Sequence, residues 1–139
     1  MTNNQSKITE SKINKYYYGK IYKIISEHTK DIYIGSTTQP LNMRFSYHKY
    51  SKHTCSSRKL FELGKCEIVL VEEYPCINKK ELLIRERYYF DKLLNIVNIN
   101  KPYLTDAEKK INKKKWIDLC NIKYNKRWAN NYILKKFTN

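Results

Sequence analysis

The chain has 139 residues, the length of one domain with room for an appendage. Its 28 Lys and Arg against 13 Asp and Glu give a formal net charge of +15, which favours a nucleic-acid partner, although AT-rich coding alone also enriches Lys. The sequence has neither an apolar signal segment nor a run long enough to span a membrane, so we expect an intracellular protein of cytoplasm or nucleus, not secreted and without a membrane partner.

The N-terminal part predicts a tail followed by a β-hairpin. Residues 1–15 are polar and show no periodicity, which predicts a flexible tail. Residues 16–26 are β-branched and aromatic, residues 27–31 are polar, and residues 32–37 are apolar again. Two strand-like runs around a short polar turn predict an antiparallel hairpin.

Two shorter helices and a third strand are predicted next. Pro40 favours the first turn of a helix, and the following residues to Lys49 have helical spacing. A short helix over 59–63 is expected to end at Gly64. Residues 66–74 form the strongest strand pattern of the chain.

Two long helices are predicted in the C-terminal half. Asn78 is a suitable N-cap for a helix over 79–95, and Thr105 with Glu108 is the capping-box signature of a last helix. The element order predicts an α+β fold, a small three-stranded antiparallel sheet flanked by helices, with a basic C-terminal helical extension. The expected organisation is a tail over 1–15, a domain over 16–103 and the extension over 104–139.

Several polar residues have side chains suited to catalysis. Each has a plainer interpretation when taken singly: strand tyrosines pack in cores, an Arg/His pair four residues apart is solvated, and a glutamate between two arginines is a surface ion pair. Together they suffice to cleave a phosphodiester, since a carboxylate holds Mg²⁺, an arginine grips phosphate, and a tyrosine near cations has its pKa lowered and acts as a base. These residues are Tyr22, Tyr33, Arg44, His48, Glu86 and Asn98.

The order of these residues resembles that of the GIY-YIG nuclease family. Lys20-Ile21-Tyr22, followed after ten residues by Tyr33-Ile34-Gly35, is similar to the paired signature that names the family. The resemblance covers about residues 17–103, and its one departure is Lys20, which stands where the family has glycine. Three further segments resemble the arginine/histidine helix, the glutamate helix and the asparagine loop of the family, namely RFSYH (44–48), LLIRERYYFDKL (82–93) and VNINKP (97–102).

The resemblance implies a metal-dependent DNA endonuclease. It makes Tyr22 the general base or a relay to it, and it makes Tyr33 an orienting group for water or phosphate. It gives Arg44 the stabilisation of the phosphorane-like charge. It implies that His48 transfers a proton or contacts the phosphate, and that Glu86 binds one Mg²⁺ or Mn²⁺. It implies that Asn98, or its rival Asn100, places the phosphate or the side of the site that contains Glu86. A catalytically inactive nucleic-acid-binding module of the same fold is the alternative.

The expected partner is DNA in double-stranded form. The last helix is basic, and a largely aromatic stripe recurs every four positions along it, at Trp116, Cys120, Tyr124, Trp128 and Tyr132. This stripe either packs on the domain or on a second copy, which we favour, or it stacks against DNA. Contacts with nucleic acid are expected at Gly35, Lys49, Lys113, Lys114, Lys115 and Arg127.

Overall fold

A computed structural model describes residues 13–52 and 55–137 of the chain. The predicted fold class is confirmed, because a three-stranded antiparallel sheet is flanked by helices. Most of the predicted tail lies outside the described residues. The elements are a 3₁₀ turn at Lys15–Tyr18, strands β1 (Lys20–Ser26), β2 (Thr29–Thr37) and β3 (Cys66–Glu73), and helices α1 (Leu41–Tyr50), α2 (Arg58–Glu62), α3 (Lys79–Lys92) and α4 (Asp106–Phe137).

The hairpin forms as predicted, and β1 is the central strand in the order β2-β1-β3. Tyr22 pairs with Gly35, whereas Tyr33 pairs with Ile24. The two tyrosines are therefore diagonal neighbours on one face of the sheet rather than directly opposite. Their ring centroids lie 6.4 Å apart, which diagonal positions allow for long side chains.

The start of the first strand differs from the prediction. Lys15–Tyr18 form a 3₁₀ turn, and β1 begins only at Lys20. Asn14 caps the turn through its side chain, which accepts from the amide of Tyr16, and the amide of Gly19 closes it on the Tyr16 carbonyl. At Gly19 the backbone passes so close to Tyr74 that an added Cβ would lie 2.3 Å from the Tyr74 carbonyl oxygen. The Lys20 amine donates to the carbonyl oxygen of Tyr18, so a lysine is accommodated directly after this close approach.

The sheet has a core on each face. On one face Ile21 and Ile34 pack with Leu82 of α3. On the other face Tyr22 and Ile24 pack with Leu60 of α2, and partly buried residues of α1 cover the same cluster. Alternation of side chains along β1 and β2 separates the two sets. Consequently α3 approaches the site from one face of β2, while α1 and α2 approach it from the other.

Helix α3 ends earlier than predicted, at Lys92 instead of residue 95. The chain then follows the outer edge of β2, where the amide of Ile32 donates to Asn95 and the amide of Val97 donates to Ile32. Because the chain leaves the helix here, it can hydrogen-bond the amide and carbonyl of Ile32, which the edge strand β2 would otherwise expose. The far edge of β3 has no strand beside it in the part of the chain that the structure describes.

The chain divides into two compact units, one ending at Tyr103 and one beginning at Leu104. The predicted capping box opens α4, because Thr105 Oγ1 accepts from the amide of Glu108 and the Glu108 carboxylate accepts from the amide of Thr105. Trp116 and Tyr124 are 67% and 70% exposed, so the aromatic stripe of α4 is not buried at these positions. Among the described helices, none combines the length and the apolar character that crossing a membrane requires.

Candidate active site

Tyr22 is the centre of the site on the α1 face of the sheet. Its side chain is fully buried, and its hydroxyl oxygen accepts a hydrogen bond from Arg44 Nε at 2.9 Å. The same hydroxyl lies 2.7 Å from His48 Nε2. The spacing of four residues on α1 places Arg44 and His48 on one helix face, as predicted, and both reach the same phenol.

Tyr33 lies beside this group. Its ring centroid is 5.0 Å from that of His48. Tyr33 also lines an open cleft of about 450 Å³, whereas the Tyr22 side chain does not. Of the two tyrosines, Tyr33 therefore has direct access to a substrate.

Burial controls the ionisation of both tyrosines. It raises the pKa of Tyr22 to about 12, although Arg44 opposes the rise, and it raises the pKa of Tyr33 as well. Arg44 alone therefore does not lower the tyrosine pKa as expected of a nearby cation, because loss of hydration outweighs the one guanidinium. Both phenols are neutral at physiological pH.

His48 is also neutral in this environment. It is only 6% exposed, and burial with the neighbouring Arg44 lowers its pKa to about 4. Its Nδ1 lies 2.9 Å from Oγ of the fully buried Ser57. A solvated arginine/histidine pair is thus excluded, since His48 has a buried polar partner on each ring nitrogen.

Glu86 occupies the other face of β2. The carboxylate is 8% exposed and accepts a hydrogen bond of 2.5 Å from the Ser36 hydroxyl, and burial raises its pKa. The plainer interpretation, a surface ion pair, is wrong. The arginines on either side pair elsewhere, Arg85 with Glu72 and Arg87 with Asp91.

The Glu86 carboxylate fits the demands of a divalent cation. None of the ion pairs in the described part of the chain involves it. It accepts a hydrogen bond from the Ser36 hydroxyl, and a carboxylate offers about four lone-pair positions. Mg²⁺ needs few protein ligands because it retains several waters. A buried, unpaired carboxylate that borders a cleft can therefore hold such an ion.

Asn98 contacts the backbone of β2 instead of the cleft. Its Oδ1 accepts from the amide of Ile34 at 2.9 Å, and its Nδ2 donates to the carbonyl of Ile34 at 2.7 Å. The rival Asn100 is exposed. Asn98 thus holds the residue between Tyr33 and Gly35 in place, and it does not line the cleft.

The cleft crosses the end of β2 and connects the two faces. Gly35 and Ser36 form part of its wall, and Arg44 and Glu86 line it from opposite sides of the strand. A Cβ added at Gly35 would lie 2.6 Å from both Cζ and the hydroxyl oxygen of Tyr22. The missing side chain therefore leaves the phenol separated from the cleft by backbone alone.

The predicted nucleic-acid contacts are not all in one place. Gly35 lines the cleft, whereas Lys49 is exposed on α1 and does not line it. Two lysines that the sequence analysis did not select, Lys15 and Lys79, stand at the cleft. The others lie exposed on α4 in the second unit, namely Lys113, Lys114, Lys115 and Arg127.

Three site residues were missed by the sequence analysis. Ser36 directly follows the Tyr-Ile-Gly segment, so its position beside the site was a usable signal. Ser57 and Cys55 carry no such signal, because they lie in a polar stretch that predicts a surface loop. Their proximity to His48 depends on how α2 packs against α1.

Comparison with known proteins identifies the first unit. Residues 18–100 match the sequence profile of the GIY-YIG catalytic domain. The search of curated proteins and the search of solved structures each found no significant match.

Proposed function

Since the chain belongs to the GIY-YIG catalytic-domain family and has its nuclease-type fold, we propose that it is a metal-dependent DNA endonuclease. One observation carries this proposal. The cleft across β2 is bordered by Arg44, which bonds the buried hydroxyl of Tyr22, and by the unpaired carboxylate of Glu86. A phosphate group and a cation therefore have matching partners in one cleft.

Proton transfer from the attacking water runs through Tyr22 to His48. Tyr22 has a pKa of about 12, so it does not act as a standing phenolate. In the substrate-free protein the phenol is closed to water; when a water enters beside Gly35 with the substrate, Tyr22 accepts its proton and passes its own proton to His48 Nε2, 2.7 Å away. Neutral His48 is the required acceptor, and the negative phosphate in the cleft favours its protonated form.

Arg44 links the buried phenol to the substrate. Its Nε is committed to Tyr22, which leaves the two terminal nitrogens of the guanidinium for the scissile phosphate. These donors stabilise the charge that develops on the phosphate oxygens during attack. Glu86 would hold the divalent ion, Mg²⁺ or Mn²⁺, which when bound neutralises charge on the leaving oxygen.

Tyr33 and Asn98 serve orientation. The Tyr33 ring lines the cleft and lies against His48, where it positions water or phosphate. Asn98 fixes the backbone of Ile34 and with it the adjacent Tyr33 and Gly35. If β2 lost these hydrogen bonds, both walls of the cleft would shift. Asn98 therefore acts by holding the strand in place and not by contacting the substrate.

Charge supports a nucleic-acid substrate, which we propose is double-stranded DNA. At the cleft, Arg44 is joined by Lys15 and Lys79, and none of these three takes part in an ion pair of the described residues. The exposed lysines of α4 offer further contacts with phosphates. Together they favour binding along a polyanionic backbone.

Plasmid nicking tests the proposal. Supercoiled plasmid is incubated with the protein in Mg²⁺, in Mn²⁺ and in EDTA, and we expect cleavage only with metal. Tyr22→Phe and Glu86→Gln should each lower the rate by about 10²–10⁴-fold, the range for loss of a general base or a metal ligand. Matched controls at exposed positions, Tyr50→Phe and Glu62→Gln, should retain the rate of the wild type.

Two results would contradict the proposal. Full activity in either site variant would remove that residue from the mechanism. DNA binding without cleavage under all three conditions would instead establish an inactive binding module of the same fold. Circular dichroism of each variant distinguishes loss of activity from loss of folding.

A further inference from the structure

We propose that Ser57 is a positioning residue that fixes the tautomer of His48 and thereby the direction of proton transfer from Tyr22. This inference rests on the proposed function. It concerns a side chain outside the cleft, which the substrate does not touch. The evidence is the set of hydrogen bonds that begins at Arg44 and continues through both residues.

The proton of Tyr22 has one acceptor. Arg44 Nε can only donate, so the Tyr22 oxygen accepts from it at 2.9 Å. The phenol is 0% exposed, so water does not reach its proton, and His48 Nε2 lies 2.7 Å away. Nε2 is therefore the unprotonated nitrogen. The opposite tautomer would leave the buried phenol proton without a partner.

Neutral His48 must then carry its proton on Nδ1. Ser57 Oγ lies 2.9 Å from Nδ1 and is the nearest acceptor, since Cys55 Sγ lies 3.7 Å from the same nitrogen. The Ser57 hydroxyl can accept because its own proton is donated to Cys55 Sγ at 3.3 Å. All four hydrogen bonds thus run one way, from Arg44 to Tyr22, His48, Ser57 and finally Cys55.

The sulfur at the end of this series is suited to accept. Ser57 Oγ donates to Cys55 Sγ at 3.3 Å, and the pKa of Cys55 is lowered overall although burial alone raises it. A donor onto the sulfur is consistent with the direction derived from the Tyr22 end.

The Ser57 hydroxyl is available to the histidine. Ser57 is fully buried, and its Oγ is directed to His48. It precedes the first turn of α2 with a helical backbone, φ −64° and ψ −20°, and its side chain makes no capping bond. A side-chain cap normally requires an extended backbone at this position, so the hydroxyl is not engaged by the helix.

Nitrogen NMR of the protein without substrate tests the tautomer directly. In ¹⁵N-histidine-labelled protein, His48 should show a protonated Nδ1 and an unprotonated Nε2, with assignment by comparison with His48→Gln. Ser57→Ala should shift this signal toward a mixture of tautomers. Ser46→Ala, at an exposed position of α1, is the matched control and should leave the signal unchanged.

Kinetics provide the second measurement. In Ser57→Ala we expect kcat for plasmid nicking to fall roughly 10- to 100-fold, the range for partners that fix a histidine tautomer, with KM unchanged. Ser57→Thr keeps the hydroxyl and should restore both the tautomer and most of kcat. Should Ser57→Ala fail to fold, Ser57→Cys, with its weak sulfur acceptor, should show an intermediate effect.

The outcomes separate this inference from the proposed function. A wild-type His48 protonated on Nε2, or a Ser57→Ala protein with unchanged tautomer and kcat, overturns the role of Ser57. The role of Ser57 is also overturned if the tautomer changes in Ser57→Ala while kcat stays the same. If the wild type cleaves no DNA, the proposed function fails while the NMR result still decides how Ser57 acts on His48.

Discussion

Burial holds both Tyr22 and His48 in their neutral forms, so the proton donor and the proton acceptor of the site are both uncharged before the reaction. The phenol is too weak an acid to ionise and the imidazole is too weak a base to protonate near neutral pH. Neutral partners avoid the cost of placing an ion in the core. The charged groups, Arg44 and Glu86, stand instead at the cleft.

The buried imidazole predicts how stability depends on pH. The pKa of His48 is about 4 in the folded state and about 6.5 in an unfolded chain. Its contribution is therefore complete above pH 6.5 and is lost as the pH falls toward 4. Between pH 7.5 and pH 5 we expect a loss of about 2 kcal/mol in the free energy of unfolding from this group.

Urea denaturation at several pH values measures this loss. His48→Gln lacks the titrating group, so its stability should fall less steeply over the same interval, while all other groups cancel in the comparison. His28→Gln is the control, because His28 is exposed. Parallel pH profiles for the wild type and His48→Gln would show that His48 titrates normally.

Gly35 leads to a prediction about packing. A methyl group there would lie 2.6 Å from Tyr22, whose ring is fully buried and has no room to move. We expect Gly35→Ala to lower the free energy of unfolding by about 1–3 kcal/mol, the usual cost of overpacking, and to abolish nicking.

The double variant Tyr22→Phe/Gly35→Ala tests the cause. Removal of the hydroxyl takes away one of the two colliding atoms, so the effects on stability should be less than additive. Additive effects would place the strain elsewhere in β2. An unchanged stability in the single variant would contradict the collision itself.

Among the elements, β2 depends on the segment that follows α3. Asn98 bonds both backbone groups of Ile34, and residues 95–97 pair with Ile32. Asn98→Asp should cost about 1–3 kcal/mol, because the carboxylate cannot donate to the Ile34 carbonyl. Hydrogen exchange at the amides of Ile34 and Val97 should accelerate, whereas the exposed Asn100→Asp should change neither measurement.

The hairpin and the helices could be predicted, because alternation, caps and Pro or Gly boundaries are local signals. The C-terminal end of α3 could not, since the apolar residues beyond Lys92 continue a helical pattern. There the backbone of residues 95–97 forms hydrogen bonds with the free edge of β2 instead of continuing the helix. The 3₁₀ turn before β1 was also missed; Tyr16 within it and Gly19 after it accept backbone hydrogen bonds from Cys76 and Tyr74, which are far away in the sequence.

At the scale of the whole molecule, the +15 charge predicts strongly salt-dependent DNA binding. If Lys113, Lys114 and Lys115 each meet a phosphate, their joint replacement by Ala should flatten the slope of log K against log salt by about 2.7. The equally charged control Lys30→Ala/Lys59→Ala/Lys65→Ala should alter the slope less. Equal slopes for both triple variants would indicate a diffuse effect of net charge.

The candidate site shows where prediction from sequence ends. The family resemblance selected residues from Tyr22 to Asn98, and the structure gathers five of the six selected residues around the cleft and the buried phenol. Ser57 escaped selection because its role comes from the packing of two helices, which no spacing along the chain encodes. The rise that burial causes in the pKa of Tyr22 was not predicted, since burial is a property of the fold.

The unpaired edge of β3 bears on how copies of the protein stay apart. Exposed strand edges are templates for pairing between molecules, the first step of aggregation. Three of the 13 acidic residues of this basic chain lie in the eight residues of β3, and Glu67 and Glu73 are exposed. Two copies that aligned these strands would bring like charges together, so we expect the acidic residues to disfavour edge-to-edge pairing in a concentrated solution of the protein.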